Sequence, residues 1–207
     1  MKAVILAGGL GSRFLEESRL RPKPLVEIGP YPILFHIMKI YSFYGVNEFV
    51  ICLGYKGYLI KRFFLDYYYF NSDFTINTEN NDIEIHRTNS REKWKISLIE
   101  TGLEAKTGSR LKKISRYIDD DFCLTYGDGL ADINIKELIS QHKEQGLLAT
   151  VTAVSKPSRW GHLACKGNQV LSFCEKTKDN KEWINGGFFV LSPKALEYIG
   201  EGEDEVW

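Results

Sequence analysis

The sequence predicts an α/β protein with a mixed, mostly parallel central sheet flanked by helices. Short apolar runs of strand length alternate along the chain with longer segments whose apolar residues keep helical spacing. The repeated order of strand, helix, strand, helix implies parallel strands that are joined by right-handed crossovers. A length of 207 residues is enough for one sizeable core. We therefore expect a single domain over residues 1–207.

The composition is ordinary for a soluble globular protein, with 43% apolar and 26% charged residues. Basic and acidic residues balance at 27 each, so we expect neither a nucleic-acid surface nor a membrane surface. No apolar run approaches the length of a membrane span. The chain starts directly with a strand, which predicts no signal peptide and a cytoplasmic location. Four cysteines without CxxC spacing predict buried, reduced thiols: Cys52, Cys123, Cys165 and Cys174.

The first half of the chain contains two buried strands, each followed by a helix. The strands are predicted at 3–7 and 49–53, and the helices at 33–44 and 58–70. Gly45 is a plausible stop for the first helix. The aromatic run at 67–70 indicates either a core face or a contact between subunits. Base stacking is a weaker alternative, because basic residues are sparse nearby.

Short strands and two further helices are predicted in the second half. The strands lie at 75–77, 83–85, 95–99, 122–126, 147–154, 169–174 and 184–191. The helices lie at 106–117 and 134–145, and Ser192 with Pro193 begins a final one. Asp128 follows directly after the apolar strand 122–126. Ligands of open α/β sheets bind at such strand ends, so Asp128 is a candidate functional residue.

A glycine-rich turn, residues 8–13, follows the first strand and ends in Arg13. Glycines let the backbone approach a ligand closely, and successive N–H groups in such a turn can surround an anion. Arg13 and Lys23 add positive charge, which suits a polyphosphate with a leaving group. The turn is not a P-loop, because no Lys-Ser/Thr closes it. Its glycine spacing also differs from the dinucleotide-binding pattern.

These residues resemble the signature of the sugar-phosphate nucleotidyltransferases, AGG-x-G-[ST]-R followed by Lys-Pro, at 7–13 and 23–24. Further motifs narrow the resemblance to the glucose-1-phosphate cytidylyltransferases, or CDP-glucose pyrophosphorylases. They are GYKG at 54–57, TG at 101–102, TGSRLK at 107–112, TYGDG at 125–129 and NGGFF at 185–189. The resemblance covers nearly the whole chain. It implies a Rossmann-like nucleotidyltransferase fold and transfer of the nucleotide from CTP to a sugar 1-phosphate, α-D-glucose 1-phosphate in this family. Pyrophosphate is released. A homo-oligomer and a role in nucleotide-sugar and O-antigen lipopolysaccharide biosynthesis are also expected.

In that reaction a phosphate oxygen attacks the α-phosphorus, and pyrophosphate leaves in line. The nucleophile is already anionic, so catalysis needs positioning and charge neutralisation rather than a general base. The resemblance implies that Arg13 stabilises the pyrophosphate, that Lys23 stabilises the α-phosphate and that Asp128 binds Mg²⁺. Mg²⁺ prefers such oxygen ligands. The alternatives are that Arg13 and Lys23 are ordinary solvated charges and that Asp128 is only a turn residue.

The resemblance also assigns binding residues, with a nucleotide half at about 1–130 and a sugar-phosphate half at about 131–207. The nucleotide-binding residues are Leu6, Ala7, Gly8, Gly9, Leu10, Gly11, Ser12, Arg13, Lys23, Ala105, Arg110 and Gly127. The sugar-phosphate-binding residues are Trp160, Gly161, Glu175, Lys176, Asn185 and Gly186. Arg110 either donates to the cytosine carbonyl or makes a phosphate or surface contact.

Three departures from the family pattern keep other interpretations open. Ser109 stands where a second glycine is usual, and Thr177 stands where a proline often follows Glu-Lys. The family's chains continue beyond this sequence with a second metal-binding aspartate, the expected partner of Asp128. A module that binds nucleotide without turnover is therefore an alternative, as is another nucleotide or sugar phosphate. A dinucleotide oxidoreductase is disfavoured, because residues 21–24 offer no carboxylate where ribose would need one.

Overall fold

The computed structural model describes residues 1–10, 21–88, 92–156, 162–166, 169–174 and 182–206. Its centre is a six-stranded sheet of order β7-β4-β1-β8-β12-β9. These strands are β1 (Lys2–Leu6), β4 (Glu48–Leu53), β7 (Lys95–Glu100), β8 (Phe122–Tyr126), β9 (Ala149–Lys156) and β12 (Glu182–Leu191). Strands β7, β4, β1 and β8 pair in parallel, whereas β12 is antiparallel to both β8 and β9. The predicted mixed, mostly parallel sheet is confirmed.

Both faces of this sheet are covered. The helices are α1 (Ile33–Phe43), α2 (Gly57–Phe70), α3 (Thr107–Lys113) and α4 (Ile135–Gln145). Successive strand residues point to opposite faces. In β1, Ile5 packs into the core with α1, and Val4 packs into the core with α3. Burial on both faces explains why the central strands are continuous apolar runs rather than alternating ones. Among the described residues, no helix is both long and apolar enough to cross a bilayer.

Two of the predicted helices differ from the structure. Helix α3 ends at Lys113, because Ile114 leaves the helical conformation (φ −96°, ψ 4°), and Ser115–Tyr117 forms a separate 3-10 turn. The predicted final helix is a 3-10 segment, Pro193–Tyr198. Leu196, within this segment, and Ile199, which follows it in an extended conformation, both reach the core. The predicted stop at Gly45 is confirmed by its left-handed φ of +86°.

In the part of the chain that the structure describes, three antiparallel hairpins lie outside the central sheet. They are β2 (Glu27–Ile28) with β3 (Tyr31–Pro32), β5 (Ser72–Asn77) with β6 (Asp82–Thr88), and β10 (His162–Lys166) with β11 (Gln169–Cys174). The sequence predicted neither the first hairpin nor β10. The predicted aromatic run 67–70 at the end of α2 is divided: Tyr67 packs against the buried ring of Phe35, whereas Tyr68 and Tyr69 are exposed and Phe70 is 84% exposed. The core interpretation of the three exposed residues was wrong.

The cysteines that the structure describes with their side chains behave as predicted. Cys52 and Cys123 are free and buried in β4 and β8. Burial raises the pKa of each thiol to about 12, so neither forms a thiolate near neutral pH. The prediction of buried, unpaired thiols is confirmed for this pair.

Candidate active site

A cleft of about 490 Å³ opens where β1 and β8 end. Its lining comes from the turn after β1, the 3-10 segment Lys23–Leu25, the connection from β7 to α3, and the turn after β8. Every nucleotide-binding residue that the sequence predicted and the structure describes lines this cleft: Leu6, Ala7, Gly8, Gly9, Leu10, Lys23, Ala105, Arg110 and Gly127. Asp128 lines it as well. Gly11, Ser12 and Arg13 lie outside the described residues.

The parallel pairing of β1 with β8 brings two distant motifs together. Leu6 pairs with Tyr126 in register, and the backbone N–H of Gly127 donates to the Leu6 carbonyl over 2.9 Å. A Cβ atom on Gly127 would lie 3.0 Å from both that carbonyl oxygen and Cγ of Pro24. Only glycine leaves room for this approach. The turn that carries Asp128 is therefore held against the glycine turn.

Lys23 and Asp128 face each other across the cleft. Lys23 Nζ lies 3.7 Å from Asp128 Oδ2, with 26% of the lysine side chain and 46% of the aspartate side chain exposed. A partly exposed ion pair contributes at most about 1 kcal/mol to the free energy of unfolding. The pair thus adds little to the stability of the fold. It does place one cation and one carboxylate close together in the lining of the cleft.

Arg110 is buried, with only 4% of the residue exposed, so the surface-contact interpretation was wrong. Its guanidinium donates to five acceptors: Leu53 O (3.0 Å), Thr101 Oγ1 (2.7 Å), Gly102 O (2.7 Å), Gly8 O (2.9 Å) and Leu103 O (3.3 Å). Burial lowers the pKa of Arg110, while Cys52 and two nearby carboxylates act in the opposite direction. Arg110 therefore ties the glycine turn to the segment 101–103, and its contact with a base stays a prediction.

Two glycines make room for this arginine. A Cβ atom on Gly8 would overlap the Arg110 guanidinium and lie 2.9 Å from the backbone N of Gly54. A Cβ atom on Gly54 would lie 2.6 Å from the Gly8 carbonyl oxygen. The Gly8 carbonyl also accepts from the Tyr55 N–H over 3.1 Å. The AGG and GYKG motifs are thus parts of one close-packed junction.

The structure describes two of the six predicted sugar-phosphate-binding residues, Asn185 and Gly186. Asn185 lies in β12, where its Oδ1 accepts from Gly187 N (2.7 Å) and its Nδ2 donates to Tyr126 Oη (3.4 Å). Gly186 packs against β9, since a Cβ atom there would lie 2.8 Å from the Thr152 carbonyl oxygen. Trp160, Gly161, Glu175 and Lys176 lie outside the described residues. Tyr126, which lines the cleft, was not predicted, although it stands directly before Gly-Asp in TYGDG.

The comparison with known proteins accounts for this architecture. The family model for nucleotidyl transferase matches residues 2–206. The chain belongs to the nucleotidyl transferase family. It is 50% identical over 201 residues to glucose-1-phosphate cytidylyltransferase of Salmonella typhimurium, which covers 96% of this chain and 78% of that relative. A probable glucose-1-phosphate cytidylyltransferase of Bacillus subtilis is 48% identical over 200 residues, with the same coverage.

Solved structures agree with this assignment. The structure of HddC from Yersinia pseudotuberculosis complexed with GMP-PN superposes with a TM-score of 0.67 at 25% identity. The match covers 99% of this nucleotidyl transferase and 82% of HddC. The Rossmann-like nucleotidyltransferase fold that the motifs implied is therefore confirmed.

In this nucleotidyl transferase the acidic segment 201–206, called the acidic strap below, packs on α3 beside the cleft. The carbonyl of Glu205 accepts from Gly108 N (2.9 Å) and Ser109 N (3.2 Å). The Ser109 hydroxyl donates to Gly202 O (2.6 Å) and accepts from Glu205 N (3.1 Å). Three lysines pair with strap carboxylates: Lys106 with Asp204, Lys112 with Glu201, and Lys113 with Glu203. The signal in the sequence that could have indicated this contact is the pair of oppositely charged runs, basic at 106–113 and acidic at 201–205.

The strap holds one wall of the cleft through Ser109. Ser109→Ala removes two hydrogen bonds, which we expect to weaken the docking of the strap by about 1–2 kcal/mol. Lys106, whose N–H donates to Glu203 O, and Val206 both line the cleft. We therefore expect a several-fold weaker affinity for Mg·CTP, measured by titration calorimetry. Ser115→Ala, at an exposed serine on the following turn, is the matched control. Equal affinities in the two variants would contradict this role of the strap.

Proposed function

We propose that this nucleotidyl transferase joins CTP and α-D-glucose 1-phosphate to give CDP-glucose and pyrophosphate. The observation that carries the proposal is the convergence of the glycine turn, Lys23 and Asp128 on one cleft, in a chain 50% identical to a glucose-1-phosphate cytidylyltransferase. A sequence pattern alone does not bring these groups together, because they come from three separate segments. The nucleotide half at about 1–130 and the sugar-phosphate half at about 131–207 are parts of this proposal.

The chemistry follows from the charges in the cleft. A phosphate oxygen of the sugar phosphate attacks the α-phosphorus of CTP, and the bond to the β-phosphate oxygen breaks to release pyrophosphate. We assign Lys23 to the α-phosphate, where negative charge builds up, and Arg13 to the leaving pyrophosphate. The backbone N–H groups of Gly8 and Gly9 at the cleft are suited to the phosphate chain. Positioning and neutralisation are then sufficient, without a general base.

Asp128 fits the role of a Mg²⁺ ligand. Proteins commonly bind this ion through one or two carboxylates, with substrate phosphates and water supplying the remaining oxygens. The described residues contain no group of three or more His, Cys, Asp or Glu side chains able to hold a metal. When bound, Mg²⁺ would neutralise phosphate charge. Asp128 would hold it, and Lys23, whose Nζ lies 3.7 Å from Asp128 Oδ2, would add a second positive charge near the phosphate chain.

Release of pyrophosphate from a panel of nucleotides tests the proposal. With Mg²⁺ and glucose 1-phosphate present, we expect CTP to give the highest rate among CTP, UTP, GTP and dTTP. A higher rate with another nucleotide would overturn the choice of CTP. Binding of CTP without any release of pyrophosphate would instead support the binding module. A parallel panel of sugar 1-phosphates tests the choice of glucose.

We also propose that the chain forms a homo-oligomer. The end of α2 and the β5–β6 hairpin expose several large apolar residues: Tyr68, Tyr69, Phe70, Phe74, Ile76 and Ile83. Exposed apolar surface of this kind is typical of protein contacts. The buried, unpaired thiols of Cys52 and Cys123 agree with the predicted cytoplasmic location.

A further inference from the structure

We propose that the hydroxyl of Tyr126 binds a hydroxyl of the acceptor sugar and that Asn185 orients it. Tyr126 would then be a specificity residue for the sugar 1-phosphate. The inference rests on the proposed function and names the part of the cleft that the sugar ring occupies. Four features of the structure lead to it: the position of Tyr126 in the sheet, the packing of its ring, its hydrogen bond, and the neutral charge of its hydroxyl in a cleft that also contains Lys23.

Tyr126 stands at the boundary between the two predicted halves of the site. It is the last residue of β8, and β8 lies between β1 and β12 in the sheet. On the β1 side are the glycine turn and the Gly127 N–H bond to Leu6. On the β12 side is Asn185. Because β12 belongs to the sugar-phosphate half of the proposed function and carries Asn185, we place the acceptor sugar on the β12 side of Tyr126.

The ring of Tyr126 is held in place by its neighbours. It packs edge-on against Phe189, with ring centroids 6.0 Å apart and an interplanar angle of 80°. On another side the ring approaches Gly187, where a Cβ atom would lie 3.4 Å from it. Gly187 also has a left-handed φ of +81°, which favours glycine there. A ring fixed in this way fixes the position of its hydroxyl, as a specificity residue requires.

The hydrogen bonds around Asn185 set the direction of the tyrosine hydroxyl. The Asn185 Oδ1 atom accepts from Gly187 N, which leaves Nδ2 to donate to Tyr126 Oη. An amide nitrogen only donates, so the tyrosine oxygen is the acceptor in this bond. The hydrogen of the hydroxyl is then available to donate into the cleft that Tyr126 lines. The result is a neutral donor whose position and direction are both determined.

A neutral donor at this place suits a sugar hydroxyl better than a phosphate. Lys23 offers phosphate oxygens a full positive charge in the same cleft, and charge-assisted hydrogen bonds are about twice as strong as neutral ones. A hydroxyl of the sugar both donates and accepts, so it can accept from Tyr126. A site built to bind a hydroxyl discriminates strongly against analogues that lack it, because its polar groups are then left unpaired.

The first experiment compares Tyr126→Phe with the unmodified chain. The substitution keeps the ring and its packing on Phe189 and removes only the hydroxyl. We expect the KM for glucose 1-phosphate to rise about 5- to 20-fold, with kcat within about threefold and the affinity for Mg·CTP unchanged. Tyr117→Phe, in the 3-10 turn Ser115–Tyr117 away from the cleft, is the matched control. If the hydroxyl had only a structural role, its removal would instead lower the free energy of unfolding and would weaken the binding of both substrates to a similar extent.

The second experiment uses monodeoxy analogues of glucose 1-phosphate. For the unmodified chain we expect one analogue to lose about 5- to 20-fold in kcat/KM more than the others, because its missing hydroxyl is the partner of Tyr126. In Tyr126→Phe the extra loss with that analogue should disappear, because both the tyrosine hydroxyl and the sugar hydroxyl are then already missing. An unchanged KM in Tyr126→Phe, or an undiminished penalty on every analogue, would overturn the inference. Failure of the proposed function is distinguishable: the unmodified chain would then release no pyrophosphate with glucose 1-phosphate, and both proposals would fall.

Discussion

Asp128→Asn is expected to lower kcat for pyrophosphate release by about 10²- to 10³-fold, the usual cost of losing one group that stabilises transition-state charge. Asparagine keeps the shape of the side chain but removes the charge that would hold Mg²⁺. The fold should not suffer, because the carboxylate is half exposed and its ion pair with Lys23 contributes little to stability. Steady-state kinetics measures the first effect, and thermal unfolding checks the second.

Asp132→Asn is the matched control for this experiment. Asp132 is an exposed aspartate four residues further along the chain and does not line the cleft. It should keep the original rate. Titration with Mg²⁺ gives an independent readout, since Asp128→Asn should also weaken the affinity for Mg²⁺ in the presence of CTP. A rate close to that of the unmodified chain, or normal Mg²⁺ affinity, would remove Asp128 from the metal site.

Arg110→Met is expected to lower the free energy of unfolding by about 2–4 kcal/mol, because the hydrogen bonds of the guanidinium to four backbone carbonyls and to Thr101 Oγ1 are lost. Methionine approaches the length of the arginine side chain and can fill much of the space, so the loss is chiefly one of hydrogen bonds. The substitution also removes the free-energy cost of keeping a charged group away from water. The loss of unfolding free energy is therefore smaller than the summed contributions of the five hydrogen bonds. For a chain of this size we expect the Tm to fall by about 5–15 °C.

Two further variants separate the contributions of Arg110. In Arg110→Lys a single ammonium group replaces a planar fork, so it cannot serve both the Gly8 carbonyl and the acceptors near Leu53. Its Tm should lie between those of the methionine variant and the unmodified chain. Arg116→Met, at an exposed arginine on the next turn, should leave the Tm nearly unchanged. An unaltered Tm in Arg110→Met would show that the buried network does not stabilise the fold.

Local patterns in the sequence were sufficient for the elements that build the site. The apolar run before Gly8 predicted β1, and the run before Asp128 predicted β8, because strands buried on both faces are continuously apolar. The placement of Asp128 at a strand end followed from the same run. The first hairpin was harder to predict, because β2 and β3 have only two residues each. Such short elements depend on their partners rather than on their own pattern.

The sequence by itself determined the α/β class, the order of the central strands and helices along the chain, and the glycine, lysine and aspartate groups that meet in the cleft. These follow from apolar periodicity and short motifs, which act over a few residues. Only the tertiary structure decided that Arg110 is buried on the carbonyl of Gly8, 102 residues away, and that Ser109 holds the acidic strap, 93 residues away. It also placed Tyr126 beside Asn185. Hydrogen bonds over such separations depend on how the packed sheet and helices bring the chain together, which no local pattern contains.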